Sequence, residues 1–311
     1  MEKKKVLVTG GAGFIGRWVV KKLLDKGHYV SVIDDLSNGR VENLAEFRIK
    51  MQICDIRDKK KVTEIFKDRY DLCIHAAAQI NVQESLDNPE KSVSANINGT
   101  FNILEEARKY NTKVVLMGTC MVYDLADTSK PIAENHPVKP ASPYAASKLA
   151  AEELALSYYY GYNLPVVVLR PFNTYGPYQK SNMEGGVVSI FIKKNLAGED
   201  LLVYGDGTQT RDLLYVEDCA DYIIKAAVSE KAVGEIINAG LGRDISINDL
   251  AYTICKNRER VKHIKHHHPQ SEIRKLVCDN SKAKRLLAWE PKTSLEEGIL
   301  KTSEWIKASE K

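Results

Sequence analysis

At 311 residues, with 44% hydrophobic and 28% charged residues and a net charge of +4, the chain reads as a soluble globular protein of one large domain or two unequal ones. So small a charge gives no footing to a nucleic acid or an anionic membrane as partner, and the lysine- and arginine-rich stretches of the last third read as solvated helix faces. The six cysteines (Cys54, Cys73, Cys120, Cys219, Cys255 and Cys278) are scattered and mostly lie in apolar runs, which points to buried thiols in a reducing cytoplasm.

The chain opens with a basic start and a short β-branched run, Val6 to Thr9. Glycines cut that run after four residues, so it predicts a strand and not a signal peptide. No later apolar stretch approaches the length of a membrane span. GGAGFIG follows at once, with Gly10, Gly13 and Gly16 in a G-x-x-G-x-x-G pattern. Trp18, Val19, Val20, Leu23 and Leu24 then give a helical stripe, and 29–34 (YVSVID) the next strand. Strand, glycine turn, helix and strand make a βαβ unit with a right-handed crossover. In such a unit the first glycine permits the turn, the second the approach of a pyrophosphate, and the third the packing of helix on strand. Asp34 ends the second strand, eighteen positions after Gly16, and Asp35 follows it. A carboxylate there accepts from the adenosine ribose hydroxyls and repels a 2′-phosphate. The nearest arginine is Arg40, so NAD is favoured over NADP.

The alternation continues with strands near 50–54 and 72–76, a helix over 92–109, and strands at 114–119 and 166–173. This predicts an α/β fold with a doubly wound parallel sheet of the Rossmann type. Between the last two strands stands SPYAASK, with Tyr144 and Lys148 one helical turn apart. A cation so placed lowers the tyrosine pKa and makes the phenolate usable as a base. Taken alone, the pair reads more readily as two unrelated residues on a solvated helix face. After Asn173 a turn-rich segment, 174–186, reads as a loop. A helix from Val187, two strands around a turn in 201–216, a helix over 216–230, a strand at 234–240 and two further helical stretches follow. The expected division is a nucleotide-binding domain of 1–173 plus 213–241 and a smaller C-terminal lobe of 174–212 plus 242–311. His266, His267 and His268 lie in an extended run before Pro269 with no carboxylate or cysteine nearby, so no metal site is expected.

In this order, GGAGFIG, DDLSNG, CDIRD, HAAA, NINGT, SPYAASK and RPFNTYGP resemble the extended short-chain dehydrogenase/reductases, in their nucleotide-sugar epimerase and dehydratase branch. The likeness runs through TRDLLYVED to LAWEPKTSLEEGI and so covers nearly the whole chain. It implies an NAD site of Gly10, Gly13, Phe14, Ile15, Gly16, Asp34, Asp35 and Asn38, with Asp55 and Ile56 against the adenine. Ala76, Ala77 and Ala78 would line the cofactor groove. Asn96, Pro171 and Phe172 would lie near the nicotinamide, and Lys148 would reach its ribose. Thr119 would join Tyr144 and Lys148 as the catalytic group, bonding the sugar 4-oxygen. For a nucleotide-diphosphate sugar, Asn173 and Arg211 would meet the diphosphate, Tyr204 would stack on the base, and Val187 and Val188 would flank it.

Two departures refine that picture. Family dehydratases follow the catalytic threonine with an aspartate and a glutamate, whereas Cys120 and Met121 stand here. Gln270 occupies the place of a usual second diphosphate arginine, a role open to Arg274 or Lys275. The expected activity is an NAD-dependent 4-epimerase of a nucleotide-linked hexose. The alternatives are a dehydratase, decarboxylase or reductase on the same scaffold, or an NAD-sensing protein without catalysis. Family members commonly dimerise through two helices per subunit, here 92–109 and 145–161, so a homodimer is expected.

Overall fold

Residues 2–124, 130–180, 186–265 and 274–309 are described by a computed structural model of the chain. Seven strands form one parallel sheet: β1 (Lys5–Thr9), β2 (Tyr29–Asp34), β3 (Lys50–Ile53), β4 (Leu72–His75), β5 (Lys113–Met117), β6 (Val166–Pro171) and, later in the chain, Ile236–Ala239. The smaller strands are β7 (Asn173–Tyr175), β8 (Leu201–Tyr204), β9 (Thr210–Arg211), β10 (Leu213–Tyr215), β12 (Ile245–Ser246) and β13 (Val261–Ile264), with β11 being Ile236–Ala239. The order across the large sheet is β11-β6-β5-β4-β1-β2-β3. Its central strands are nearly continuous runs of valine, leucine and isoleucine because helices cover both faces. The helices Phe14–Asp25 and Val216–Val228 pack together on one face; Lys59–Phe66, Thr100–Tyr110 and Pro143–Tyr162 cover the other. This is the doubly wound fold expected from the alternation.

A third core, with Tyr175, Val188, Phe191, Leu213, Leu250 and Ile306 among its members, belongs to the smaller lobe. Packing crosses the boundary drawn from the sequence: Leu213 and Tyr215, assigned to the nucleotide-binding part, sit in this third core, and Tyr178, assigned to the lobe, packs on the sheet core. Ala283, Leu287 and Trp289 join the core on the sheet, because the helix Ser281–Leu287 lies against β11 and the helix Val216–Val228. The two strands read around a turn in 201–216 are present as β8 and β10, but they do not pair with each other: β8 pairs in parallel with β13, and β10 in parallel with β7. The helix expected over 92–109 is three pieces, Pro89–Ser92, a π-helical Val93–Gly99 and Thr100–Tyr110. Among the described residues, no helix is long and apolar enough to cross a membrane.

Parallel strands put their carboxyl ends along one edge, where such sheets bind ligands. Gly10, Asp34, Asp55, Ala76, Thr119 and Pro171 all stand at or just beyond those ends. Sequence positions far apart are thereby gathered along one side of the molecule.

Candidate active site

The glycine turn is shaped for close approach. Gly10 has φ +70°, and a Cβ there would lie 2.7 Å from the Ala77 nitrogen. A Cβ at Gly16 would lie 2.1 Å from the Gly10 oxygen, so helix and strand touch through it. Gly13 is the N-cap of Phe14–Asp25 and no side chain caps it. The first amides, Phe14 and Ile15 among them, have no partner within the helix and sit at its positive dipole end. This is a fitting cradle for a pyrophosphate.

Asp34 is buried, and its two oxygens accept the amides of Ala12 at 3.0 Å and Leu36 at 2.9 Å. Burial raises its pKa and these amides oppose the rise. An ionised carboxylate has about four acceptor positions, so ribose hydroxyls can still be received. Asp35 is exposed and accepts from the Ser37 amide and hydroxyl, and half-buried Asn38 lies in the same turn. Asp55 is held by Arg57, whose guanidinium and backbone amide keep its carboxyl below the usual range. Ile56 is buried against Gly99, and Ala76, Ala77 and Ala78 are half-buried beyond β4.

Ser142 caps the next helix by accepting the Ala145 amide at 3.2 Å, and Pro143 starts it. Tyr144 thus falls in the first turn, and its hydroxyl meets the Thr119 hydroxyl from the end of β5. Lys148 donates to the Met117 carbonyl at 2.5 Å. All three side chains are buried. The sequence leads one to expect a lowered tyrosine pKa. The structure corrects this: burial pushes Tyr144 up to about 12, opposed only by the Thr119 hydrogen bond. Lys148 is turned to Met117, and burial pushes it down to about 8. Cys120, beside Thr119, is likewise pushed up to about 12 by burial and carries no usable thiolate at neutral pH.

Several supporting residues escaped the sequence analysis. His75 bridges the Thr9 hydroxyl at 2.7 Å and the Thr100 hydroxyl at 3.0 Å. Gln79 gives its amide N–H to Asn96 Oδ1 and receives the Asn96 Nδ2, which also donates to Ser147. Asn96 lies in the π-helical turn and bonds both Gln79, beyond β4, and Ser147 on the Tyr144 helix. Glu152 and Arg170 form a buried ion pair. Only the two polar residues at interior positions of predicted elements hinted at that pair.

Asn173 Oδ1, just beyond β6, is buried and has no hydrogen-bond partner among the described residues. Such an atom is open to a ligand donor. Arg211 lines a cavity of about 200 Å³ together with Arg243, Leu295 and Glu296. Pro171 is half-buried and Phe172 packs beneath Cys120 and Cys278. Val187 is half-buried and Val188 is in the lobe core, while Tyr204 is 44% exposed at the end of β8. Arg274 is exposed and its carbonyl accepts the Thr210 amide; Lys275 is half-buried. His266, His267, His268 and Gln270 lie outside the described residues.

Residues 7–302 match the family described as GDP-mannose 4,6 dehydratase. The chain is similar to the protein Pal of Bacillus thuringiensis, 56% identical, with a TM-score of 0.96 over 98% of this chain and 99% of that one. It is 36% identical to the UDP-glucose 4-epimerase of Mycolicibacterium smegmatis, over 97% of this chain and 98% of that protein. The UDP-glucose 4-epimerase of Thermus thermophilus, solved in complex with NAD, is 32% identical with a TM-score of 0.91, over 98% of this chain and 99% of that one.

Proposed function

This chain belongs to the GDP-mannose 4,6 dehydratase family of NAD-dependent, nucleotide-sugar-modifying enzymes, and from that premise we propose that it is a nucleotide-sugar 4-epimerase. The observation that carries this reading is the shared buried site of Thr119, Tyr144 and Lys148 beside a dinucleotide turn, with no carboxyl pair after Thr119.

NAD bound at the glycine turn supplies reversible hydride acceptance at C4 of the sugar. The protein does the rest. Thr119 holds the 4-oxygen near Tyr144. Tyr144, as phenolate, takes the 4-hydroxyl proton and gives it back when the 4-ketone is reduced from its other face. Asn173 and Arg211 retain the diphosphate by charge-assisted and neutral hydrogen bonds while the sugar turns over. Burial of the tyrosine and lysine excludes water from the proton path.

Removal of water across C5 and C6 needs an acid and a base beside those carbons. Cys120 is a buried, protonated thiol, and the Met121 thioether has no proton to move. A nucleotide hexose carrying deuterium at C4 is therefore expected to give its C4 epimer with the label kept at C4, followed by NMR across UDP-, dTDP-, GDP- and CDP-sugars. A 4-keto-6-deoxy product, or label arriving at C6, would overturn epimerisation and leave only the C4 oxidation standing.

A further inference from the structure

Tyr144, Lys148 and Glu152 succeed one another at single-turn intervals along the helix Pro143–Tyr162 and form one stripe. Glu152 is 0% exposed. Its Oε2 accepts Nε and Nη2 of Arg170 at 2.9 and 2.7 Å, and its Oε1 accepts the backbone N–H of Thr119 at 3.4 Å. A Cβ at Gly118 would lie 2.1 Å from that Oε1, so the strand end is pressed against the carboxylate. Arg170 in turn lies over the Tyr123 ring at 4.9 Å, and the Tyr123 hydroxyl donates to Asn238 at 2.7 Å. One carboxylate thus ties the Tyr144 helix to the carboxyl ends of β5 and β6.

We propose that Glu152 is a positioning residue of this site, ionised against Arg170, which fixes the Thr119 backbone and supplies the counter-charge that keeps the buried Lys148 ammonium protonated.

Burial favours a neutral amine at Lys148, which Glu152 opposes, and it also raises the Glu152 pKa, a rise opposed by Arg170, Lys148 and the Thr119 amide. The other groups around the cluster do not help. Arg170 from β6 is a like charge. His75 from β4 is held neutral, pushed down to about 3 by burial and by Lys148 itself. Tyr144 and the neighbouring Cys120 are protonated in this state. Without the carboxylate, the Lys148 pKa would fall further, and the ammonium would be a weaker balance for a phenolate. With it, the cluster holds two cations and one anion, and ionising Tyr144 evens the count.

The inference rests on the proposed role of Tyr144 only for its effect on rate. Its test therefore reads Lys148 directly, by pH titration of the NAD-loaded protein with ¹³Cε-labelled lysine. The Lys148 signal is assigned by its loss in Lys148→Arg. In Glu152→Gln the lysine is expected to titrate about one pH unit lower or more, the size of effect an adjacent buried charge has. Glu152→Asp should keep the wild-type titration while turnover falls. Because Glu152→Gln strands the Arg170 charge, Glu152→Gln/Arg170→Gln is measured beside it and should shift the same way. A titration unmoved in whichever of these variants folds overturns the proposal. A shifted titration with no product from any nucleotide sugar upholds it and sinks the epimerase reading instead.

Discussion

Tyr144 shows how burial and chemistry pull against each other in one residue. Its ring is packed and, among the described residues, its hydroxyl meets Thr119; burial favours the protonated form. To act as a base it must ionise against that burial, and compensating positive charge has to come from nearby. Tyr144→Phe keeps the packing and removes the oxygen. NAD affinity is expected to hold while turnover falls by about two orders of magnitude or more, the range seen for loss of a general base. Titration calorimetry with NAD and steady-state rates check the two halves. A Tyr144→Phe enzyme that stays active rules out the proton path drawn through this hydroxyl.

At the scale of elements, the site depends on how β1, β4 and the helix Thr100–Tyr110 are pinned together. His75 does this by bridging Thr9 and Thr100 as a neutral ring. Its folded pKa is pushed down to about 3 from 6.5, chiefly by burial. Above pH 6.5 the ring is neutral in both the folded and the unfolded chain, and its contribution to stability is complete. As pH falls from 6.5 toward 3, the unfolded chain gains a proton that the folded chain refuses, and stability is lost. The slope from this one group is at most about 1.4 kcal/mol per pH unit. Urea midpoints measured across that window should fall more steeply for the wild type than for His75→Gln. Parallel curves would show that the bridge carries no acid sensitivity.

For the whole molecule, the face away from the sheet on two helices is the expected seat of assembly. Phe101 is 40% exposed and Val93 46% exposed, on the stretch that packs beside Pro143–Tyr162. Large apolar side chains left on adjoining helices suit a C₂ contact, in which each patch meets its own copy. Sedimentation is expected to find a dimer for the wild type and a monomer for Phe101→Glu, with the monomer still binding NAD. A wild-type protein that sediments as a monomer at micromolar concentration removes this assembly.

What the sequence determined by itself was periodic or local. The valine-rich strands alternating with striped helices named the doubly wound sheet, because burial on both faces leaves a continuous apolar run. The glycine spacing named the dinucleotide turn, since only glycine tolerates Cβ distances such as 2.1 Å at Gly16. The Tyr144–Lys148 pair was legible because one helical turn separates them. Tertiary structure alone decided the rest. Glu152 and Arg170 are far apart in sequence and became a pair only when β6 was laid beside β5. Asn96, in the π-helical turn, bonds Gln79 and Ser147, contacts that no local spacing encodes. Lys148 turned to Met117 and Tyr144 rose in pKa because desolvation depends on what closes over a side chain. A sequence records which charges a chain carries; how much water each one keeps is settled by the fold.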